Sequence, residues 1–171
     1  MALPGKLKYF NTFFDNTEYW GQFPELTLPK LTQKLENYRA GGMPGSVAVN
    51  LGFDDGALDM DVTAGGLIVN LMKKFGTATA DGMQFRFSGS YQAEDSDTPD
   101  AIDVYARGRF SEVDMGSAKA GDDTSHKYTL KNTYYKLVVN DATIMEIDVI
   151  NMIYIVDGVD VLAAHRKAIG H

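Results

Sequence analysis

Two runs of strict alternation between apolar and small or polar residues sit side by side in GGMPGSVAVNLGFDDGALDMDVTAGG, residues 41–66. Val47, Val49, Leu51 and Phe53 alternate with Ala48, Asn50 and Gly52, and Leu58, Met60 and Val62 alternate with Asp59, Asp61 and Thr63. Successive side chains of a strand point to opposite faces, so this period requires strands with one apolar face. Asp54-Asp55-Gly56 between the runs is turn chemistry. The segment therefore predicts an extended β-hairpin at about 41–66. Its apolar face carries Val47, Val49, Leu51, Phe53, Leu58, Met60 and Val62. Burying side chains of this kind stabilises by about 1.5–3 kcal/mol each. The sum rivals the net stability of a whole domain, about 5–15 kcal/mol. Such a face must be covered. It packs on the chain's own core as half of a sandwich, or it extends a sheet between subunits and closes a barrel without edges.

Around this segment the pattern is mostly β. Lys6–Asp15 and Glu18–Phe23 read as aromatic-rich strands joined at Asn16-Thr17. Leu31–Arg39 is compatible with either helix or strand, and propensity leans slightly to helix. Leu67–Phe75 predicts a short helix between Gly66 and Gly76, with Leu67, Ile68, Leu71, Met72 and Phe75 on one stripe. Strands are expected at Gln84–Gln92, Ala101–Val113, His126–Asn140 and Thr143–Val156. The last is nearly continuous in apolar residues and reads as central. The polar stretches Glu94–Asp100 and Met115–Ser125 read as solvated loops, and Val159–Ile169 as a terminal helix. The expected architecture is one domain over residues 1–171, mainly antiparallel β, a two-sheet sandwich or barrel with one flanking helix and a short C-terminal helix.

Composition narrows the function. With 44% hydrophobic and 23% charged residues, the 171-residue chain has an ordinary globular make-up. No apolar run has the length of a membrane span, and the first residues lack the apolar core of a secretory signal. Cysteine is absent, which removes disulfides and thiolate chemistry. The formal charge of −7 argues against a nucleic-acid binder, which gathers phosphate with clustered Lys and Arg. No Lys or Arg occurs from Gly41 through Met72.

No constellation for catalysis, metal or cofactor emerges. His126, His165 and His171 lack metal-ligand spacing. Asp59 and Asp61, or Asp122 and Asp123, form pairs without a third ligand and read as solvated acidic surface. Gly41-Gly42-Met43-Pro44-Gly45 lacks the Lys and Ser/Thr of a phosphate loop and reads as a mobile connector. Arg107 and Arg109 form a close arginine pair, which either meets carboxylates of a neighbour or lies on a solvated strand face.

Several strings taken together resemble one family. They are LTLPKLTQKLENYRAGGMPGSV at 26–47, NLGFDDGALDMDVTAGG at 50–66, RGRFSEVDMGSAKAGDD at 107–123, YYKLVVND at 134–141, EIDVINM at 146–152 and DGVDVLAAHRKAIG at 157–170. They resemble the major tail tube proteins of contractile-tailed, P2-like phages and the related tubes of R-type pyocins. The resemblance implies a two-sheet β-barrel, hexameric rings stacked into a hollow tube, and a contractile sheath around it. It implies as partners further copies of the chain, a tail sheath protein, a tape measure protein, a baseplate hub and a tail terminator. DNA would pass without specific binding, in a virion tail assembled in the bacterial cytoplasm. The alternative it leaves is a tube of a phage-tail-like bacteriocin or secretion device that carries no genome. On this resemblance Leu31–Arg39 becomes a strand. Alternation then assigns Ser46, Asn50, Asp59, Asp61 and Thr63 to a lumen and the seven apolar residues to subunit packing. Gly41–Gly45 becomes the loop between stacked rings.

Overall fold

The structure, a computed structural model, describes residues 2–171. All strand pairs are antiparallel. In chain order the strands are β1 (Lys6–Phe14), β2 (Thr17–Glu18), β3 (Glu25–Thr27), β4 (Gln33–Tyr38), β5 (Val47–Phe53) and β6 (Met60–Ala64). Helix α1 (Val69–Lys73) follows and ends in a 3-10 turn at Lys74–Gly76. Then come β7 (Met83–Gln92), β8 (Asp100–Asp114), β9 (His126–Val139), β10 (Ala142–Asp148), β11 (Ile153–Val156), β12 (Val159–Asp160) and α2 (Ala163–Ile169). The main sheet runs β12-β11-β10-β9-β8-β7-β1-β2.

The sheet forks at β9. Its first half, His126–Leu130, pairs with β6, and its second half, Tyr134–Val139, pairs with β10. β8 runs along both halves. β3 extends the β6 branch. The two branches curl over each other as the leaves of a sandwich. The mainly β, antiparallel expectation holds, but within one chain the sheet does not close into a barrel. The core between the leaves is aromatic. Phe14 is fully buried, with ring centroids 4.9 Å from Phe85, 5.7 Å from Phe23, 5.9 Å from Tyr19 and 6.0 Å from Phe110. At Gly108, beside an irregularity in the β8–β9 ladder, a Cβ would meet the Lys131 carbonyl oxygen at 2.2 Å, so only glycine lets these backbones approach.

Three connections are two-residue turns with left-handed backbone at both positions: Asp15-Asn16, Asn140-Asp141 and Asp157-Gly158. That geometry matches the twist of the flanking strands and favours Asn, Asp and Gly. The first turn lies one residue earlier than Asn16-Thr17. Glu18–Phe23 is not a full strand. Only Thr17–Glu18 pairs, because Tyr19 and Phe23 turn into the core with a bend at Gly21, where φ is 71°.

Two larger expectations are corrected. Thr143–Val156 is not one central strand. It breaks at Val149–Met152, where the Asp148 carboxylate accepts hydrogen bonds from the backbone N–H groups of Ile150 and Asn151, both at 3.1 Å, and Met152 takes φ 53°. Its halves are β10 and β11, toward one edge of the sheet.

The predicted hairpin at 41–66 is also redistributed. β5 pairs with β4, and β6 pairs with β3 and β9. The hairpin is β4–β5, with residues 39–46 at its tip and Asp54 N–H donating to the Thr32 carbonyl at its base. In β6 the alternation matches burial, whereas β5 is exposed on both faces before Phe53. Alternation states which side chains share a face, not which strand lies alongside. The helical leaning of Leu31–Arg39 is overridden by this pairing.

Replacing Phe14 with Ala is expected to cost about 3–5 kcal/mol, because it empties the centre of the aromatic cluster. Urea denaturation of the monomer measures it.

Candidate assembly surface

The seven residues expected to meet another subunit divide into two groups. Leu58, Met60 and Val62 are 4%, 2% and 0% exposed and belong to the chain's own core. Val47, Val49 and Leu51 are 54%, 42% and 60% exposed. The reason is the strand exchange: β6 is held over the core by β9, whereas β5 is held only by β4.

Phe53 goes elsewhere. Between the Gln33–Phe53 and Leu35–Asn50 pairs, β5 holds one residue more than β4, and Gly52 takes φ 108°. Such a bulge inverts the alternation. The Gly52 N–H donates to Asn50 Oδ1 at 2.8 Å. Phe53 packs edge-on against Tyr154 of β11, with centroids 5.0 Å apart, and anchors the hairpin to the body. Beside it, α2 is tied down by Arg166, which donates to the Met152 carbonyl at 2.8 Å and pairs with Asp160. The hydrogen bond that Arg166 donates to the Asp160 carboxylate lowers the Asp160 pKa.

Cross-strand pairing defines the hairpin faces. Tyr38 stands opposite Val47, and Glu36 opposite Val49. Asn37 opposite Ala48 and Leu35 opposite Asn50 make the other face. Every residue of β4, and every residue of β5 before Phe53, is exposed. Leu35 and Tyr38 were not among the residues expected to pack between subunits, because the ambiguous β4 segment showed no usable alternation.

The residues assigned to a lumen also separate. Ser46 is exposed at the hairpin tip and Asn50 on β5. Asp61 and Thr63 lie on β6 in the other sheet, with Asp59 just before it. Asp59 pairs with Lys131. Asp61 accepts a hydrogen bond from the Thr129 hydroxyl at 2.8 Å and lies 3.7 Å from Lys127. This face is zwitterionic rather than acidic. The lysines come from β9, far away in the chain, so no local stretch could reveal them. Gly41–Gly45 forms part of the hairpin tip. Leu67 and Phe75, expected on the apolar stripe of the helix, are exposed, while Leu71 is fully buried.

Beyond the hairpin, the outer face of β7–β10 carries crossed rows of aromatic and charged side chains. Arg86, Tyr105, Lys136 and Glu146 form one row, and Gln84, Arg107, Tyr134 and Asp148 the next. The Arg107 guanidinium lies 4.0 Å from the Tyr134 ring centroid. Tyr134 donates its hydroxyl to Glu146 at 3.2 Å. Burial, reinforced by the negative charge of Glu146, pushes the Tyr134 phenol up to about 12. The close pair Arg107 and Arg109 diverges, since Arg109 donates to the Ala78 carbonyl at 3.0 Å. Among the described residues no group of three or more His, Asp or Glu is arranged to hold a metal ion, and no helix is long and apolar enough to cross a membrane.

The phage tail tube protein FII family model matches residues 4–170. The chain belongs to this family. It is 46% identical over 171 residues to the tail tube protein of Escherichia phage P2, covering 99% of each chain. It is 48% identical over 158 residues to the major tail tube protein of Serratia phage KSP20, covering 92% of this chain and 91% of that one. A chain in the cryo-electron microscopy structure of the anti-feeding prophage baseplate has a TM-score of 0.48 at 12% identity, covering 75% of this chain and 90% of that one. This tail tube protein is thus a structural virion protein of the contractile-tail type, and an exposed two-stranded hairpin is its most unusual surface.

The Tyr134 phenol ties this surface to pH. A phenol ordinarily titrates near 10. Between pH 10 and about 12 the unfolded chain loses a proton that the folded chain keeps, so this contribution to stability is complete below pH 10 and lost as pH rises to 12. Burial raises the Tyr128 and Tyr135 pKa values as well. Urea melts at pH 9 to 12 should show the decline, and Tyr134→Phe should flatten part of it.

Proposed function

We propose that the chain builds the inner tube of a contractile phage tail, with hexameric rings stacked into a conduit through which DNA leaves the particle. The observation that carries this reading is β4–β5. An isolated two-stranded hairpin is marginal in water. This one exposes Leu35, Tyr38, Val47, Val49 and Leu51 on two uncovered faces. Joining strands of neighbouring copies satisfies the free backbone groups of both hairpin edges, and the assembly would bury the face that carries Tyr38, Val47 and Val49 against protein. The hairpin tip at Gly41–Gly45 would then lie between stacked rings. Ser46 and Asn50 would look toward the lumen. The family assignment and the two phage relatives support the reading, and both relatives favour genome passage over a genome-free device.

DNA would slide past a wall poor in cations, Lys34 of β4 and Arg39 of the tip being the two that the hairpin carries. β5 carries no charged residue, and Lys127 and Lys131 are each matched by an aspartate. Low friction then rests on neutralised lysines and the net charge of −7, not on a purely acidic hairpin. The partners are a sheath protein outside the tube, a tape measure protein inside it during assembly, a baseplate hub at one end and a terminator at the other. Assembly takes place in the host cytoplasm.

Negative-stain electron microscopy of the chain, supplied with assembled baseplates as initiator, is expected to show hollow tubes. Val47→Ser, Val49→Ser and Leu51→Ser together should leave the monomer melt nearly unchanged, because these side chains are exposed, and abolish the tubes. Persistent monomers of the unmodified chain in the presence of the initiator would overturn the proposal.

A further inference from the structure

Arg107 and Lys136 stand out on a chain with more acids than bases. The third cation of that sheet face, Arg86, is satisfied by Asp103, with Nη2 to Oδ1 at 3.0 Å. Among the described residues Arg107 and Lys136 form no ion pair and donate no side-chain hydrogen bond. Glu146 lies opposite Lys136 in the ladder, but its carboxylate takes the Tyr134 hydroxyl instead. The two cations flank a cleft of about 300 Å³ together with Gln84, Tyr105 and Tyr134. The Arg107 guanidinium carbon lies over the Tyr134 ring, and its N–H groups, which donate to no group among the described residues, are available for a carboxylate. Lys136 Nζ sits 5.8 Å from the Tyr105 ring centroid. Half-buried cations held by aromatic rings, without an anion of their own, form a preorganised receptor for an acidic group.

The chain carries a matching ligand at the other end of the same strands. The loop Glu94–Asp100, EDSDTPD, joins β7 to β8. Asp97 meets only its neighbour Thr98, whereas Glu94 pairs with Lys8 and Asp100 accepts from Asn140. Arg107 lies seven residues along β8 from Asp100, so loop and cleft are separated by about 20–25 Å within one copy. The loop therefore reaches the cleft only of another copy. A contact between opposite ends of one hairpin is head-to-tail, the kind that propagates instead of closing a pair.

We propose that the Arg107–Lys136 cleft receives the acidic loop Glu94–Asp100 of a second copy, with the Asp97 carboxylate on the Arg107 guanidinium. This deepens the tube reading and rests on it: the contact joins successive rings. Each copy carries the same excess of negative charge, so stacked rings repel, and locally complementary pairs offset that repulsion and set the register. Six equivalent contacts per ring junction make a modest pair effective.

The test uses the full chain with baseplate initiator and reads the sedimentable tube fraction. Arg107→Glu and Asp97→Arg are each expected to lower that fraction at least about tenfold, because each sets like charges together across the contact. The double variant restores the complementary pair with reversed sign and is expected to recover assembly. Unchanged monomer melting temperatures separate loss of contact from loss of fold. Zero-length carbodiimide cross-linking of unmodified tubes should join Lys136 of one copy to an acidic residue of the 94–100 loop of another. Normal tubes from Arg107→Glu, failure of the double variant to recover, or cross-links from Lys136 solely to other loops would overturn the proposal while leaving the tube reading standing. A short duplex oligonucleotide that shifts the Arg107 side-chain resonance, with assembly indifferent to Asp97→Arg, would overturn it in favour of a DNA contact.

Discussion

The ladder along β9 is the constraint on which the rest of the molecule depends. One strand cannot hold two partners at the same residues on the same edge. β9 therefore gives that edge to β6 in its first half and to β10 in its second, while β8 runs along the other edge. The irregularities at Arg107/Gly108 and Phe110/Glu112 bend β8 where the branches part. The bend folds the β6 branch back over β1 and β7, and Phe14 fills the space between them. Lys127 and Lys131 reach the β6 branch from β9, and the aromatic and cationic rows lie on the side where β10 pairs. Both surfaces are consequences of the same fork.

The hairpin β4–β5 obeys different physics. It contributes little to the core: of its residues Phe53 packs against the core cluster, and its contact with Tyr154 fastens the hairpin to the body. A protein that gained nothing from this hairpin in an assembly would expose large apolar side chains for no return. The body supplies the monomer's stability, and in the proposed tube the hairpin supplies the surface that copies share. In the proposed tube, apolar contacts within a ring and charged contacts between rings are separate devices on separate parts of the chain.

Much of this was legible in the sequence because its causes are local. Alternation in β5, β6 and β7 reflects the two-residue period of a strand. Asn140-Asp141 and Asp157-Gly158 reflect the side chains that tolerate left-handed backbone. The loops at 94–100 and 115–125 reflect composition alone. Misreadings fell where a partner distant in the chain decided the outcome. Val47 and Val62 look alike in their runs, yet one meets solvent and the other is fully buried, because β4 alone holds the first while β9 holds the second over the core. Asp61 looks like an acidic wall until Lys127 arrives beside it. Phe53 follows the alternation of β5 on paper and leaves it at Gly52, since a bulge is a property of two strands in register. The apolar run at Thr143–Val156 conceals a turn stabilised by the Asp148 carboxylate.

By itself the sequence determined the class of fold, most strand positions, several turns and, through its strings of short motifs, the family. These depend on residue type, spacing and order, which the chain carries locally. Tertiary structure alone decided which strands pair, which apolar faces remain uncovered and which charges stay unmatched. Those depend on contacts between residues tens of positions apart, and the same local pattern is compatible with more than one set of them. The division of one alternating segment into a buried strand and an exposed hairpin arm was settled by the ladder on β9, not by any residue within the segment.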